Sequence, residues 1–408
     1  MRLAFLVPHF TPDTAPTGAV VTRIVEELAA RGHRIEVVTA LPWYREHRIE
    51  PGYEGRLVRY EDTPWGRIAR VHPFPAGDKR DILRRAAAFG GFSALAAAVA
   101  LRGRRLDGVL ALSPPLTLGA AGWTVARRRS APLVFNVQDV FPDVAVELGV
   151  VRNPRVVAAA RRLERWCYAR ADAVTVLSED LRENVAAKAD DPAKVKVIPN
   201  FVDTGSIVPS ERESSYRREL GLTGKTVVMY AGNVGLSQSL DLVVAAAGAL
   251  EHEEDLVFVV NGAGAGRDAL EAAARGLRNV VFVDPQPAER LPEVLAAADV
   301  HVVPLRRGLA RSSVPSKTYS ILAAARPLIA SVDVGSEVAR VVEDSGAGVA
   351  VPPEDPEAFT KAVRRLIEHP AEARAMGEAG RRWVEAWASP GRVAQAYEEL
   401  FESLARRR

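Results

Sequence analysis

The sequence predicts an α/β protein built of two doubly wound halves. Three observations carry this. Short, nearly continuous apolar runs alternate with amphipathic stretches of helical period along much of the chain. The alternation breaks at a polar segment, 203–215, and then restarts. The chain has 408 residues, which at roughly 100–200 residues per domain is enough for two units, each with its own core.

The first apolar run, 3–7, is stopped by Pro8 and followed by a Pro/Thr/Gly loop over 8–18. A helix is expected over about 19–31, ended by Gly32, and a strand over 35–39. This is a βαβ unit. Further strands are expected near 108–112, 133–137, 173–177 and 195–198. Their apolar residues run on without alternating, as they do when helices cover both faces of a parallel sheet. After 203–215, strands are expected over 227–231, 256–261, 280–283, 300–304 and 328–331. Helices fall between them, over 240–250, 267–275, 291–297 and 318–325. A last helix, about 393–406, is set off by 388–391 and can pack back on the first half. The domains therefore read as 1–204 and 205–388, with 389–408 returning to the first.

Composition narrows the function classes. Charged residues are 26% and hydrophobic residues 48%, ordinary for a globular enzyme, and a net charge of +3 gives no reason to expect nucleic acid. The single cysteine, Cys167, has no partner for an internal disulfide. It sits in a helical stretch, 161–171, as a packing residue, and suits a reducing cytoplasm. The chain runs straight into a strand, so no signal peptide is expected. The longest uncharged apolar run, 86–101, contains Gly90-Gly91 and falls short of the ~20 residues that span a bilayer. There is no Cys/His metal cluster, nucleophile elbow, Gly-x4-Gly-Lys-Ser/Thr loop or convincing Asp-x-Asp pair. The expectation is an enzyme with no metal and no bound cofactor.

In open parallel sheets, ligands gather outside the carboxyl ends of the strands. The loops to search are 8–18, 113–116 and 138–144 in the first half, and 232–238, 262–267, 304–317 and 332–337 in the second.

Several of these loops resemble a known family. Tyr230-Ala231-Gly232-Asn233-Val234-Gly235 resembles the GT-B glycosyltransferases of the retaining family 4. Val314-Pro315-Ser316-Lys317-Thr318-Tyr319, followed by Ala325-Arg326-Pro327-Leu328, is similar to the donor segment of WbuB-like and colanic-acid-type enzymes. Ile198-Pro199-Asn200, Gln138-Asp139 with Pro142-Asp143, and Ser113-Pro114-Pro115-Leu116 match in the same order. The resemblance implies a GT-B fold, two Rossmann-like domains facing a central cleft, with the acceptor on the first and the nucleotide sugar on the second. It implies a retaining hexosyltransferase that moves a hexose or N-acetylhexosamine-type sugar from a UDP-linked donor. The acceptor would be lipid-linked or a glycan, in surface polysaccharide synthesis. Three alternatives stay open: a small soluble acceptor, a GT-B UDP-sugar epimerase, and a non-catalytic nucleotide-sugar-binding subunit. The sequence departs from the family where many members carry a phosphate lysine, here Gln238, and two glutamates, here Ser312 and Ser320.

The candidate residues follow. Gly232, Asn233 and Gly235, with Gly262 and Gly264, offer glycine backbone that can approach a phosphate. Lys317 is a compact cation suited to diphosphate oxygens, able to stabilise charge on a departing nucleoside diphosphate. Arg267 reads equally well as a solvated helix-start residue and is not assigned. Glu337, at a helix start, is a candidate for ribose hydroxyls. In the first half, Gly18 permits close approach at the loop after the first strand, and Asp139 can orient the donor sugar or take a proton. His9, Asp13 and Asp143 are acceptor-side candidates; Asp143 also reads as a cap for a helix starting at Val144.

The stretch 79–105 has basic ends around an Ala/Phe/Leu-rich centre. It reads either as a core helix or as a surface helix on an anionic membrane. The expected location is cytoplasmic, with peripheral contact at the inner face of the membrane.

Overall fold

A computed structural model describes residues 1–45, 48–75, 82–147, 151, 153–235, 237–308 and 317–407. The chain divides into two compact units, Met1–Asn200 with Pro390–Arg408, and Phe201–Ser389. It leaves the first unit at Asn200 rather than at 204. Val202 is already held in the second unit, where its N–H donates to the Ala388 carbonyl at 3.1 Å.

The first unit runs β1 (Arg2–Leu6), α1 (Pro16–Ala30), β2 (Arg34–Ala40), β3 (Val58–Thr63), β4 (Gly66–Val71), α2 (Ile82–Ala100), β5 (Gly108–Ser113) and α3 (Thr117–Arg128). It continues with β6 (Leu133–Val137), α4 (Asp143–Glu147), α5 (Pro154–Arg170), β7 (Ala173–Val176), α6 (Glu179–Ala186) and β8 (Val195–Val197). The sheet order is β3-β4-β2-β1-β5-β6-β7-β8. All described pairings are parallel except β3 with β4. That edge hairpin was not legible as apolar runs, because Arg59, Glu61, Arg67 and Arg70 interrupt it. Buried Arg70 donates from Nε to Glu61 at 2.9 Å and from Nη2 to the Thr11 carbonyl at 2.6 Å.

Helix α1 starts at Pro16, earlier than the expected 19, since proline is well accommodated in a first helical turn. Gly18 therefore lies in the helix, not in the loop. Helix α2 lays Phe92, Ala96 and Ala100 in the core, and among the described residues no helix is long and apolar enough to cross a membrane. Residues 79–81, at the basic end of the 79–105 stretch, lie outside the described residues. Cys167 is buried on α5, and burial pushes its thiol up to about 12, which suits a packing role.

The second unit runs α7 (Ser215–Glu219), β9 (Thr226–Ala231), α8 (Asp241–Ala249), β10 (Leu256–Asn261), α9 (Arg267–Ala273), β11 (Val280–Val283), α10 (Leu291–Ala296) and β12 (Val300–Pro304). It ends with α11 (Lys317–Ala323), β13 (Leu328–Ser331), α12 (Glu337–Ser345), β14 (Gly348–Val351), α13 (Pro356–Glu368) and α14 (Pro370–Trp387). The parallel sheet has the order β11-β10-β9-β12-β13-β14. Strand β14 and helices α13 and α14 add to the expected elements. Their boundary signals are ordinary: Gly346 ends α12 at φ 63°, and Asp355 caps α13 before Pro356.

The last helix, α15 (Pro390–Arg406), belongs to the first unit and packs on α1. Gly108 leaves room for it: a Cβ there would meet the Phe401 ring at 2.3 Å. Phe401 is fully buried, and Tyr397 accepts a hydrogen bond from Asn136 Nδ2 at 2.9 Å. Phe401→Ala should lower the stability of the first unit by about 3–5 kcal/mol in urea unfolding. A loss below about 1 kcal/mol would mean that α15 is dispensable to this core.

Candidate functional site

In both sheets the strand order reverses at one point, between β1 and β5 in the first unit and between β9 and β12 in the second. Loops diverge at such a switch point and leave a crevice. In the second unit a cavity of about 480 Å3 opens there, lined among others by Gly232, Asn233, Asn261, Gly262, Lys317 and Ser320.

Lys317 is the cation of this cavity. It begins α11, and its Nζ donates to the Tyr230 hydroxyl at 2.7 Å while lying 3.9 Å from the centre of the Tyr230 ring. Tyr230 in turn donates to the Asn233 carbonyl at 2.5 Å. Burial pushes the Tyr230 phenol well above its usual value, so it remains a hydroxyl. No carboxylate pairs with Lys317 among the described residues, and burial pushes its ammonium down to about 8. A Cβ at Gly232 would meet Nζ at 2.9 Å, so glycine is what lets the cation lie against the loop after β9.

The other glycines act differently from expectation. Gly262 has φ 152°, and a Cβ on it would stand 1.8 Å from the Gly232 carbonyl oxygen. Gly264, at φ 156°, would meet the Val234 carbonyl at 2.3 Å. They allow two protein loops to touch, and of the pair only Gly262 lines the cavity. The Gly235 N–H is taken by Gln238 Oε1 at 3.0 Å, so it is not a free donor for a phosphate. Gln238 is thus a loop tie. Helix α8 starts only at Asp241, so the loop after β9 does not open directly into a helix. Arg267 is held by the Gly262 and Val283 carbonyls and lies over Phe282.

Glu337 opens α12 behind the Ser336 cap and pairs with Arg340 at 3.0 Å. It is not among the residues that line the cavity. Ser320 is among them. Ser312, with 314–316 of the Pro-Ser-Lys segment, lies outside the described residues. Sequence reasoning missed Tyr230 as the support of Lys317, and missed Asn261 and Pro285-Gln286-Pro287 as lining. A polar residue ending the apolar strand β10 was the available signal for Asn261.

In the first unit, His9 and Asp13 come together, with Nδ1 2.7 Å from Oδ2. A Cβ on Gly18 would meet His9 Cβ at 3.1 Å, so this glycine accommodates the loop after β1. Asp139 follows β6 with its side chain exposed, though nearby protein still pushes its carboxyl above the usual range. Its neighbour Gln138 is buried, bonded to Asn136 at 2.7 Å and Asn200 at 2.9 Å. Asp143 is the first residue of α4 rather than a cap before Val144. Its carboxylate is engaged by Lys188 at 2.5 Å, and Lys188 also reaches Glu164 at 2.9 Å. This ties α4 to α5 and α6–β8, and it explains Asp143 as an anchor. Among the described residues, no group of three or more His, Cys, Asp or Glu is placed to hold a metal.

Residues 17–200 match the family described as Glycosyl transferase 4-like domain, and residues 225–369 match Glycosyl transferases group 1. The chain is 28% identical to the colanic acid biosynthesis glycosyl transferase WcaI of Escherichia coli (strain K12), over 90% of this chain and 92% of that protein. It is 30% identical to the glycosyltransferase WbjE of Pseudomonas aeruginosa, over 72% of this chain and 75% of that protein. Its fold is similar to Anabaena Alr3699/HepE, solved in complex with UDP, at a TM-score of 0.67 and 15% identity, covering 99% and 100% of the two chains.

Two outcomes follow for the cavity. The Lys317 charge is fully present below its depressed value and is lost as pH rises through about 8. Affinity for a nucleoside diphosphate, read by calorimetry, should therefore hold at pH 7 and fall above 8, and Lys317→Ala should flatten that fall. Gly262→Ala should abolish binding and lower the melting temperature, because a Cβ has no space against Gly232; an unchanged variant would contradict the loop contact.

Proposed function

The chain belongs to the GT-B glycosyltransferases of family 4, and from that membership we propose the reaction it performs. It moves a hexose or N-acetylhexosamine-type sugar from a UDP-sugar, with retention at the anomeric carbon, to a lipid-linked or glycan acceptor in surface polysaccharide synthesis. The observation that carries the donor half is Lys317, a half-buried ammonium with no carboxylate partner among the described residues, set against Gly232 at the switch point of the second sheet. Such a cation lacks its counter-charge until an anion arrives, and a diphosphate supplies one. As the glycosidic bond breaks, charge grows on the leaving phosphate, and Lys317 stabilises it where water is scarce. With this cation in place the transfer runs without a metal. The name of the E. coli relative favours surface polysaccharide, and the UDP held by the Anabaena protein favours the uracil nucleotide. Asp139, with its raised carboxyl, orients the transferred sugar. A lipid-linked acceptor places the reaction at the inner face of the membrane, as a peripheral contact.

Thermal unfolding with UDP, GDP, ADP and TDP, all in EDTA, tests the donor reading. UDP at a hundredfold excess over Kd should add about 2.7 kcal/mol of stability, and Lys317→Ala should remove most of it. No stabilisation by any nucleotide would overturn the site; stabilisation by GDP alone would correct the base. A β-anomeric product from an α-linked donor, read by NMR, would overturn retention.

A further inference from the structure

The sheet of the first unit separates its helices into two layers, because successive strand residues face opposite sides. Gly108 and Asn136 face α15, through Phe401 and Tyr397. Ala111 and Phe135, each an odd number of residues away, face α3, where a Cβ on Gly122 or Gly119 would meet them. Helix α1 packs on α15, and α2 and α5 pack on α3.

The two layers differ in charge. On α1 and α15 the signs are mixed and paired along each helix, Arg23 with Glu27 at 3.0 Å and Arg406 with Glu402 at 3.1 Å. On α2, α3 and α5 the one acid is Glu164, which is buried and held by Lys188 and Tyr168. Exposed there are Arg127 and Arg128 on α3, and Arg155, Arg162, Arg165 and Arg170 on α5. Arg161 lies 3.9 Å from Asp143, whereas Arg127, Arg128, Arg162 and Arg165 have no carboxylate partner among the described residues. The whole chain has 54 basic and 51 acidic residues, so this is segregation rather than composition. Cations in a last turn complement the helix dipole, which accounts for Arg127, Arg128 and Arg170. It does not account for Arg155 or Arg162, and Arg161 and Arg165, one turn apart, repel. Helix α6 joins the same core with Leu181 and Val185 and turns acidic again with Glu179, Asp180 and Glu183, so the basic face has a boundary.

This face is not arginine alone. Trp123 and Trp166 stand half-buried among these side chains with ring centres 5.4 Å apart, and the Arg170 guanidinium lies 5.8 and 5.9 Å from the two rings. Helix α2 turns Ala94 and Ala98 outward beside them. Indole, guanidinium and small apolar side chains together suit the level where lipid headgroups meet hydrocarbon. A soluble polyanion would engage the arginines and leave the indoles and alanines without a role.

We propose that the α2–α3–α5 face of the first unit docks on an anionic membrane surface, with its arginines on lipid phosphates and Trp123 and Trp166 at headgroup level. This rests on the membrane location proposed above and gives it a surface; it is independent of the donor site. It also moves the contact from 79–105, whose Phe92, Ala96 and Ala100 belong to the core, to the arginines of α3 and α5.

The test is co-sedimentation of the full chain with vesicles of phosphatidylcholine alone, or of phosphatidylcholine and phosphatidylglycerol in equal parts, with no nucleotide or acceptor present. Wild type is compared with Arg162→Gln/Arg165→Gln on α5, Arg127→Gln/Arg128→Gln on α3, and Arg392→Gln/Arg406→Gln, the same charge change on α15. Each is melted first, and the α3 pair serves if the α5 pair does not fold. Wild type should pellet with the anionic vesicles and not with the neutral ones. Either basic-face pair should lower the partitioning about 30-fold, from about 1 kcal/mol for each arginine near the surface. The α15 pair should leave it within twofold, and salt at about 0.5 M should release the wild type. Equal binding to neutral vesicles, or an equal loss from the α15 pair, would overturn the proposal. Retention on immobilised polyphosphate through these arginines, with no vesicle binding, would assign the face to a soluble polyanion and overturn it as well. No outcome bears on UDP stabilisation, so failure here leaves the donor reading standing.

Discussion

An ammonium group partly withdrawn from water without a carboxylate beside it is costly, and one such group, Lys317, stands at the switch point of the second unit among the described residues. Among the described residues, the face and hydroxyl of Tyr230 receive Lys317. A cation over an aromatic ring recovers part of the lost hydration, on the order of 1–2 kcal/mol, far from all of it. The remainder is what an arriving anion can supply. The surroundings follow from that need. Tyr230 is fixed by the Asn233 carbonyl, Gly232 yields the space that Nζ occupies, and Gly262 lets the neighbouring loop close against Gly232. Each of these contacts tolerates little change, because a Cβ at Gly232 or Gly262 would collide with its neighbour.

The same topological rule places chemistry in both units, with different character. At the second unit's switch point the lining joins glycine backbone, amides and Lys317 to apolar residues such as Leu291 and Leu295. At the first unit's switch point it is largely aromatic and proline, with His9 held by the Asp13 carboxylate. The central strands of both sheets are buried and apolar, and most of the cavity lining comes from the loops that follow them.

Much of the fold was legible. Strands β6, β10, β11, β12 and β13 fall on the expected residues, because strands buried on both faces leave uninterrupted apolar runs. The hairpin β3–β4 escaped because an edge strand is half solvated and its arginines and acids break the run. The site was legible in part. Lys317 stood out through its Pro-Ser-Lys context. The glycines were singled out for approach to a phosphate, whereas what approaches Gly235 and Gly264 is this protein's own backbone and side chains. Asp143 and Glu337 were recognised as carboxylates near strand ends. Their partners, Lys188 at a long sequence separation and Arg340 on the same helix, appear only once the chain is folded. Neighbourhood in space, rather than residue type, separates an anchor from a ligand.

The central claim is that Lys317 awaits a diphosphate, and a crystal structure of the protein grown with UDP and EDTA tests it most directly. The predicted result is a β-phosphate oxygen at hydrogen-bonding distance from Lys317 Nζ, roughly 2.7–3.2 Å, beside Gly232, with the uridine in the cavity toward Pro285-Gln286-Pro287. A UDP bound elsewhere, with Nζ still on Tyr230 and no phosphate near Gly232, would contradict it.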